Sequence, residues 1–212
     1  MIIAIDGPAG AGKSTVARKL ADHLGFRYLD TGAMYRALTW LAMRDGQPLG
    51  EAEVLGRLAL QNPVTFDDEG RVAISGIDVT SAIRQPRIDR MVPVVARHAP
   101  VREVMRERQR ELGRAGDCVI EGRDIGTVVA PDAEVKVYLH ADPAVRTSRR
   151  QAERPDIGAD ALATDLRARD ESDRARMQPA ADAKQIDTTD LEVDDVVARI
   201  EELVRARLSA AR

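Results

Sequence analysis

The sequence predicts an α/β fold: a P-loop parallel sheet of about five strands flanked by helices, with a small antiparallel β insert. Three observations carry that expectation. A β-branched run, a glycine-rich turn and an amphipathic helix follow one another between Met1 and Leu24. Similar apolar runs recur at 117–121, 135–140 and 184–187, separated by stretches with helical spacing. Between Val64 and Val79 the texture changes once, to short runs with tight polar turns.

Ile2, Ile3, Ala4 and Ile5 suit a strand covered on both faces of a parallel sheet. Gly7, Pro8, Ala9, Gly10, Ala11, Gly12, Lys13 and Ser14 then fit G-x-x-x-x-G-K-[ST] at every fixed position, with Thr15 directly after. Glycine is needed there because the backbone must wrap closely around phosphate oxygens and turn its N–H groups toward them. The following helix aims its N-terminus, with free N–H groups and a partial positive charge, at the same place. Val16, Ala17, Leu20 and Leu24 share one face of that helix, and Gly25 is placed to cap it. Lys13 should reach the β- and γ-phosphates, and the Ser14 hydroxyl should ligate Mg²⁺.

The 212 residues suffice for one α/β domain with insertions. Aromatic residues make up only 3%, so Leu, Val, Ile and Ala must build the core. With 32 Lys and Arg against 35 Asp and Glu, the net charge of −3 argues against nucleic acid or membrane binding by bulk charge. Cys118 is the single cysteine and lies in an apolar run, which reads as a small core residue in a reducing, cytoplasmic compartment. The chain enters its first strand without a charged leader, and no apolar run approaches membrane-spanning length.

Phe26 to Asp30 reads as a second strand, and Asp30-Thr31-Gly32 as the cap of a helix that carries Met34, Leu38, Leu41 and Ala42 inward. A short helix from Glu51 leads to the β-meander, so residues 62–84 are expected to form an appended insert covering an acceptor, within one domain spanning 1–212. Thr80 to Arg114 reads as helical, with Pro86 and Pro100 starting helices and Pro93 inside one. Asp117 to Glu121 is a buried strand running into Gly122-Arg123-Asp124, and charged residues at the end of a central parallel strand mark a ligand crevice. After the strand at Val135 to His140, a helix begins at Asp142 or Pro143, and Arg154-Pro155-Asp-Ile-Gly158 breaks it. A charged helix is expected over Ala159 to Arg176, then a last strand at Lys184 to Asp187. Val196, Val197, Ile200, Leu203, Val204 and Leu208 should pack the final helix on the sheet.

A phosphate loop alone gives nucleotide binding and not a reaction. The distinguishing feature is the supply of arginines elsewhere: Arg36, Arg102, Arg123, Arg149, Arg169 and Arg176. Guanidinium forks match phosphate geometry, and an enzyme joining two phosphorylated substrates must neutralise several repelling charges. An Asn-Lys-x-Asp guanine-reading motif is absent from the sequence. Two other readings stay open on the residues: a kinase of another small acceptor, with Asp124 as base toward a hydroxyl, or a nucleotide-dependent switch.

Gly7 to Ser14, Asp30-Thr-Gly-Ala-Met-Tyr-Arg36, Gly76 to Thr80, Glu121-Gly-Arg-Asp-Ile-Gly-Thr-Val-Val129, Arg149-Arg150, Arg169 to Asp173 and Ile186 to Thr188 together resemble the bacterial cytidylate kinase family over essentially the whole chain. That resemblance implies γ-phosphoryl transfer from ATP to CMP or dCMP by a monomeric enzyme of pyrimidine metabolism. It implies ATP contacts from Gly7 to Thr15 and a short helical lid over 146–170, with Arg149 as a lid arginine. It further implies acceptor contacts from Thr31, Tyr35, Arg36, Arg102, Arg123, Asp124, Arg169, Asp173 and Arg176. Arg36, Arg123 and Arg176 match positions at the acceptor phosphate; Thr31, Arg102 and Asp124 match the base, and Arg169 and Asp173 the ribose. Lys13, Arg123, Arg149 and Arg176 are the implied catalytic cations. Pro93 stands where the family usually has a serine near the ribose, and the lid around Arg154 to Gly158 is shorter than in the common enterobacterial form.

Overall fold

The computed structural model describes residues 1–67 and 69–210. The chain divides into two compact units, Met1–Tyr28 with Gly116–Arg212, and Leu29–Ala115.

In the first unit, β1 (Ile2–Asp6) leads through the glycine-rich loop into α1 (Lys13–Leu24). β2 (Arg27–Asp30) follows, and its last two residues already belong to the second unit. β6 (Cys118–Gly122), β7 (Val135–His140) and β8 (Lys184–Asp187) complete a five-stranded sheet of order β2-β6-β1-β7-β8. β1 pairs in parallel with β6 on one side and β7 on the other, with Ile5 opposite both Glu121 and Val137. Strand order therefore reverses at β1, whose C-terminal end feeds the loop, and that is where open α/β sheets hold ligands. Ile3, Ile5, Val119, Val137 and Leu139 pack with Val16, Ala17 and Leu20 of α1 and with Val196, Val197, Ile200 and Val204 of α8 (Val193–Ala210). Gly25, at φ +68°, ends α1 by donating to the carbonyls of Ala21 and Asp22.

The remaining helices of this unit, α6 (Pro143–Glu153) and α7 (Ala159–Asp173), carry the expected lid segment. Three details differ from the sequence reading. Helix α7 ends at Asp173 rather than Arg176, because the next residues turn back and the N–H of Arg176 donates to the Asp173 carbonyl. Leu208 is 50% exposed and does not pack, since it lies in the last turns of α8 beyond its buried stripe. Ile125–Val129 forms a single π-helical turn that the sequence did not announce.

The second unit holds α2 (Thr31–Arg44), α3 (Ala52–Gln61), the meander β3 (Val64–Phe66), β4 (Val72–Ile74) and β5 (Ile77–Asp78), then α4 (Pro86–Ala96) and α5 (Ala99–Arg114). The three strands pair antiparallel in the order β3-β4-β5, as their polar turns require. Met34, Leu38, Leu41 and Ala42 of α2 are buried as expected, and Pro86 and Pro100 lie in the first turns of α4 and α5. Pro93 sits inside α4. Gly56 lets α3 approach α5: a Cβ there would lie 2.7 Å from Cβ of Pro100. Among the described residues, no helix is long and apolar enough to cross a membrane.

Two outcomes follow from this packing. Gly56→Ala should destabilise the protein by about 1–3 kcal/mol despite alanine's better helix propensity, measured by denaturant unfolding, because the Pro100 ring is too rigid to yield. Burial pushes the Cys118 thiol up to about 11. It therefore stays neutral at pH 8, so a thiol reagent should label Cys118 only after denaturation.

Candidate nucleotide and phosphate site

The loop between β1 and α1 is held from outside by its carbonyls. Arg123 Nη1 donates to Gly7 O at 2.7 Å, and Lys13 Nζ to Pro8 O at 2.8 Å. Arg146 Nη1 donates to Ala9 O at 3.1 Å, and the Thr188 hydroxyl lies 3.2 Å from Ala11 O. A trans peptide points its carbonyl and the next N–H in opposite directions. Anchoring the Ala9 and Ala11 carbonyls therefore aims the N–H groups of Gly10 and Gly12 away from those anchors, into the concavity that anion binding needs. The glycines make the path possible. Gly10 and Gly12 have φ of +78° and +88°, and a Cβ on Gly7 would lie 2.0 Å from the Leu139 carbonyl oxygen.

The anchors are themselves braced. Arg146 is only 8% exposed and pairs with Asp170 Oδ2 of α7 at 2.7 Å, leaving its Nε and Asp170 Oδ1 without protein partners. Thr188 is buried, and its hydroxyl hydrogen has a second acceptor in His140 O at 3.1 Å. Arg149 donates from Nη1 to Thr188 Oγ1 at 3.0 Å and from Nη2 to Thr188 O at 2.6 Å, so the expected lid arginine sits against the residue that holds Ala11.

Two carboxylates close the strand ends. Glu121, at the end of β6 and 4% exposed, accepts from Ser14 Oγ at 2.9 Å and from the Tyr28 hydroxyl. Asp6, at the end of β1, accepts from the backbone N–H groups of Ile125 and Gly126, both at 2.8 Å. Burial raises the Asp6 carboxyl above its ordinary pKa, and those two N–H groups work in the opposite direction. Asp6 thereby fixes the turn that begins at Asp124, whose own carbonyl accepts from the N–H of Val128 at 2.9 Å.

Arg123, Asp173 and Arg176 come together: Arg123 Nε lies 3.1 Å from Asp173 Oδ2, and Arg176 Nη2 pairs with Asp173 Oδ1. Asp173, expected at the ribose, thus gathers around one carboxylate two of the three arginines expected at the acceptor phosphate. Arg169 stands one turn before Asp173 on α7, partly buried.

In the second unit, Asp30 caps α2 by accepting from Ala33 N at 2.8 Å and pairs with Arg84 at 3.0 Å. Thr31 is buried at the start of α2, with Tyr35 and Arg36 in the turn that follows. Arg36 Nε donates to Asp89 Oδ1 at 2.9 Å, and Asp89 is 5% exposed. Gly32 leaves room for this arginine, since a Cβ there would fall 2.8 Å from Arg36 Nη1. Arg102 lies in the first turn of α5, partly buried.

Sequence reasoning gave no role to Asp6, Glu121, Arg146, Asp170, Thr188 or Asp89. Asp6 and Glu121 had a usable signal, since each is an acid ending an apolar strand. Asp170 and Thr188 lie inside the motifs that carry the resemblance, but no sequence signal pairs them, Arg146 or Asp89 with their partners, because only the fold brings them together.

The oxygen set near Ser14 can be tested against a divalent cation. The Ser14 proton is committed to Glu121, so the lone pairs of Oγ stay available as a hard oxygen ligand beside a carboxylate. Among the described residues no cluster of three or more His, Cys, Asp or Glu could hold a metal by itself. That composition fits Mg²⁺, which keeps waters and substrate phosphates in its shell.

The family described as cytidylate kinase matches residues 3–206. The cytidylate kinase of Shouchella clausii is 44% identical, covering 96% of this chain and 95% of that protein. A bifunctional pantoate ligase/cytidylate kinase of a Synechococcus strain is 46% identical over 99% of this chain, which spans 42% of that longer protein. Shikimate kinase from Bacteroides thetaiotaomicron superposes with a TM-score of 0.52 at 18% identity, covering 97% of this chain and 98% of that one, a likeness of fold.

Thr188→Val keeps the shape and removes both the donor to the loop and the acceptor for Arg149. Stability should fall by roughly 1–3 kcal/mol in denaturant unfolding, and wild-type stability would show that the Ala11 tether is idle.

Proposed function

The chain belongs to the cytidylate kinase family, and from that premise we infer that it transfers the γ-phosphoryl group of ATP to CMP or dCMP, giving ADP and CDP or dCDP. The observation that carries the reading is the braced phosphate loop with its neighbouring cluster of arginines.

The acceptor atom is a phosphate oxygen whose second pKa is about 6, so it is already anionic at neutral pH and needs no general base. Catalysis then reduces to alignment and charge neutralisation. The loop from Gly7 to Thr15 holds the donor phosphates through backbone N–H groups, and Lys13 leaves its loop carbonyl to follow the β- and γ-phosphates. Arg149 takes the donor side, where Thr188 already places it beside the loop. Ser14 would hold Mg²⁺ with Glu121 behind it. When bound, Mg²⁺ supplies charge neutralisation at the phosphates.

Arg123 and Arg176 take the acceptor phosphate. Asp173 holds both guanidinium groups in place, and a phosphate dianion would compete with it for the same forks. Arg169 and Asp173 serve the ribose. Asp124 accepts from the cytosine 4-amino group, where uracil presents an oxygen and is repelled. For Thr31, Tyr35, Arg36 and Arg102 the support is family membership and the motif Asp30 to Arg36, with Asp89 holding Arg36 in a set orientation. A monomer in a cytoplasmic setting completes the reading.

The wild type should prefer CMP over UMP in kcat/KM, and Asp124→Asn should shrink that preference by about tenfold. An unchanged CMP/UMP ratio would remove Asp124 from base recognition.

A further inference from the structure

Glu121 is buried with both carboxylate oxygens occupied by hydroxyls from different elements. Ser14, on the first turn of α1, donates to Oε2, and Tyr28, on β2, donates to Oε1. Arg18, one turn beyond Ser14 on α1, lays its guanidinium over the Tyr28 ring, with Cζ 5.0 Å from the ring centre. Arg18, Tyr28, Glu121 and Ser14 thus form one line of contacts within the first unit.

We propose that Tyr28 is a positioning residue: by occupying Oε1 of Glu121 it fixes the carboxylate so that Oε2 takes the Ser14 proton and the Ser14 lone pairs face a nucleotide-bound divalent cation. The proposal rests on reading Ser14 as the cation's ligand. The terminal torsion of a glutamate is soft and broad, so a donor on each oxygen, from two different elements, defines the carboxylate plane more closely than the Ser14 bond does. Removing the Tyr28 hydroxyl takes that donor from a buried carboxylate and loosens the orientation in which Oε2 meets Ser14. The Arg18 cation strengthens the arrangement by drawing electron density from the ring, which makes the phenol a better donor. Groups that orient a metal ligand from behind typically change metal affinity by about 10–100-fold when lost.

Tyr28→Phe isolates the hydroxyl, because the ring stays under Arg18. The readout is binding of a fluorescent ATP analogue to the full chain without acceptor, titrated with MgCl₂. The Mg²⁺ midpoint should rise about tenfold, while analogue affinity in EDTA and KM for CMP stay at wild-type values. An unmoved midpoint overturns the proposal, and so does an equal loss of affinity in EDTA, which would mean general damage to the loop. Ser14→Ala separates the two levels. If it shifts the midpoint and Tyr28→Phe does not, the role of Tyr28 fails alone. If neither shifts it, the cation reading at Ser14 fails and takes this proposal with it. Arg18→Met, at an exposed position, should move the midpoint in the same direction by less, and supplies the test should Tyr28→Phe not fold.

Discussion

The carbonyls of the phosphate loop set the terms for the rest of the first unit. A loop that must offer N–H groups to an anion has to turn its carbonyl oxygens elsewhere, and buried carbonyls need donors. Here the donors are Arg123, Lys13, Arg146 and Thr188, which reach the carbonyls of Gly7, Pro8, Ala9 and Ala11. They come from four different parts of the chain. The loop's shape is therefore a property of the folded unit rather than of the glycines, which only permit it. Because preorganised dipoles need no reorientation when charge develops, this arrangement is also where catalytic stabilisation would originate.

The tethers share partners with the remaining functional groups. Arg123 holds Gly7 with one nitrogen and Asp173 with another, so the loop and the end of α7 are joined through one side chain. Arg146 does the same between Ala9 and Asp170, which also lies on α7. The second pair leaves Arg146 Nε and Asp170 Oδ1 without protein partners, so it is a costly use of a buried charge. Asp6 and Glu121, at the ends of adjacent strands, divide the polar work: one fixes the turn at Asp124 and the other addresses Ser14. Placing two acids at the ends of neighbouring parallel strands is possible because each is met by two donors.

The sheet, most of the helices and the meander were legible in the sequence because each rests on local patterns: β-branched runs, helical stripes, and glycine or proline at turns. The loop glycines were legible for the same reason. The braces behind the loop were not, since Arg146 and Thr188 lie 137 and 177 residues from the carbonyls they serve. Sequence spacing cannot report a contact of that kind. Leu208 misled in the other direction, because its spacing continues the stripe of α8 past Val204, the last buried residue of that helix. The π-helical turn at 125–129 depends on Asp6 capturing two N–H groups from another strand's end, so propensity alone gives no hint of it. Arg36 and Arg123 stand out in the sequence as arginines beyond the loop, but the carboxylates that orient them, Asp89 and Asp173, became visible as their partners only in the fold.

Phosphoryl transfer to a cytidine monophosphate is tested most directly by ADP formation from Mg-ATP with CMP, dCMP, UMP, AMP or no acceptor, run side by side on the wild-type chain. We expect fast turnover with CMP and dCMP, well above UMP and AMP, and little without an acceptor. Equal slow turnover in every tube would contradict that reading and leave only a phosphate-loop ATPase.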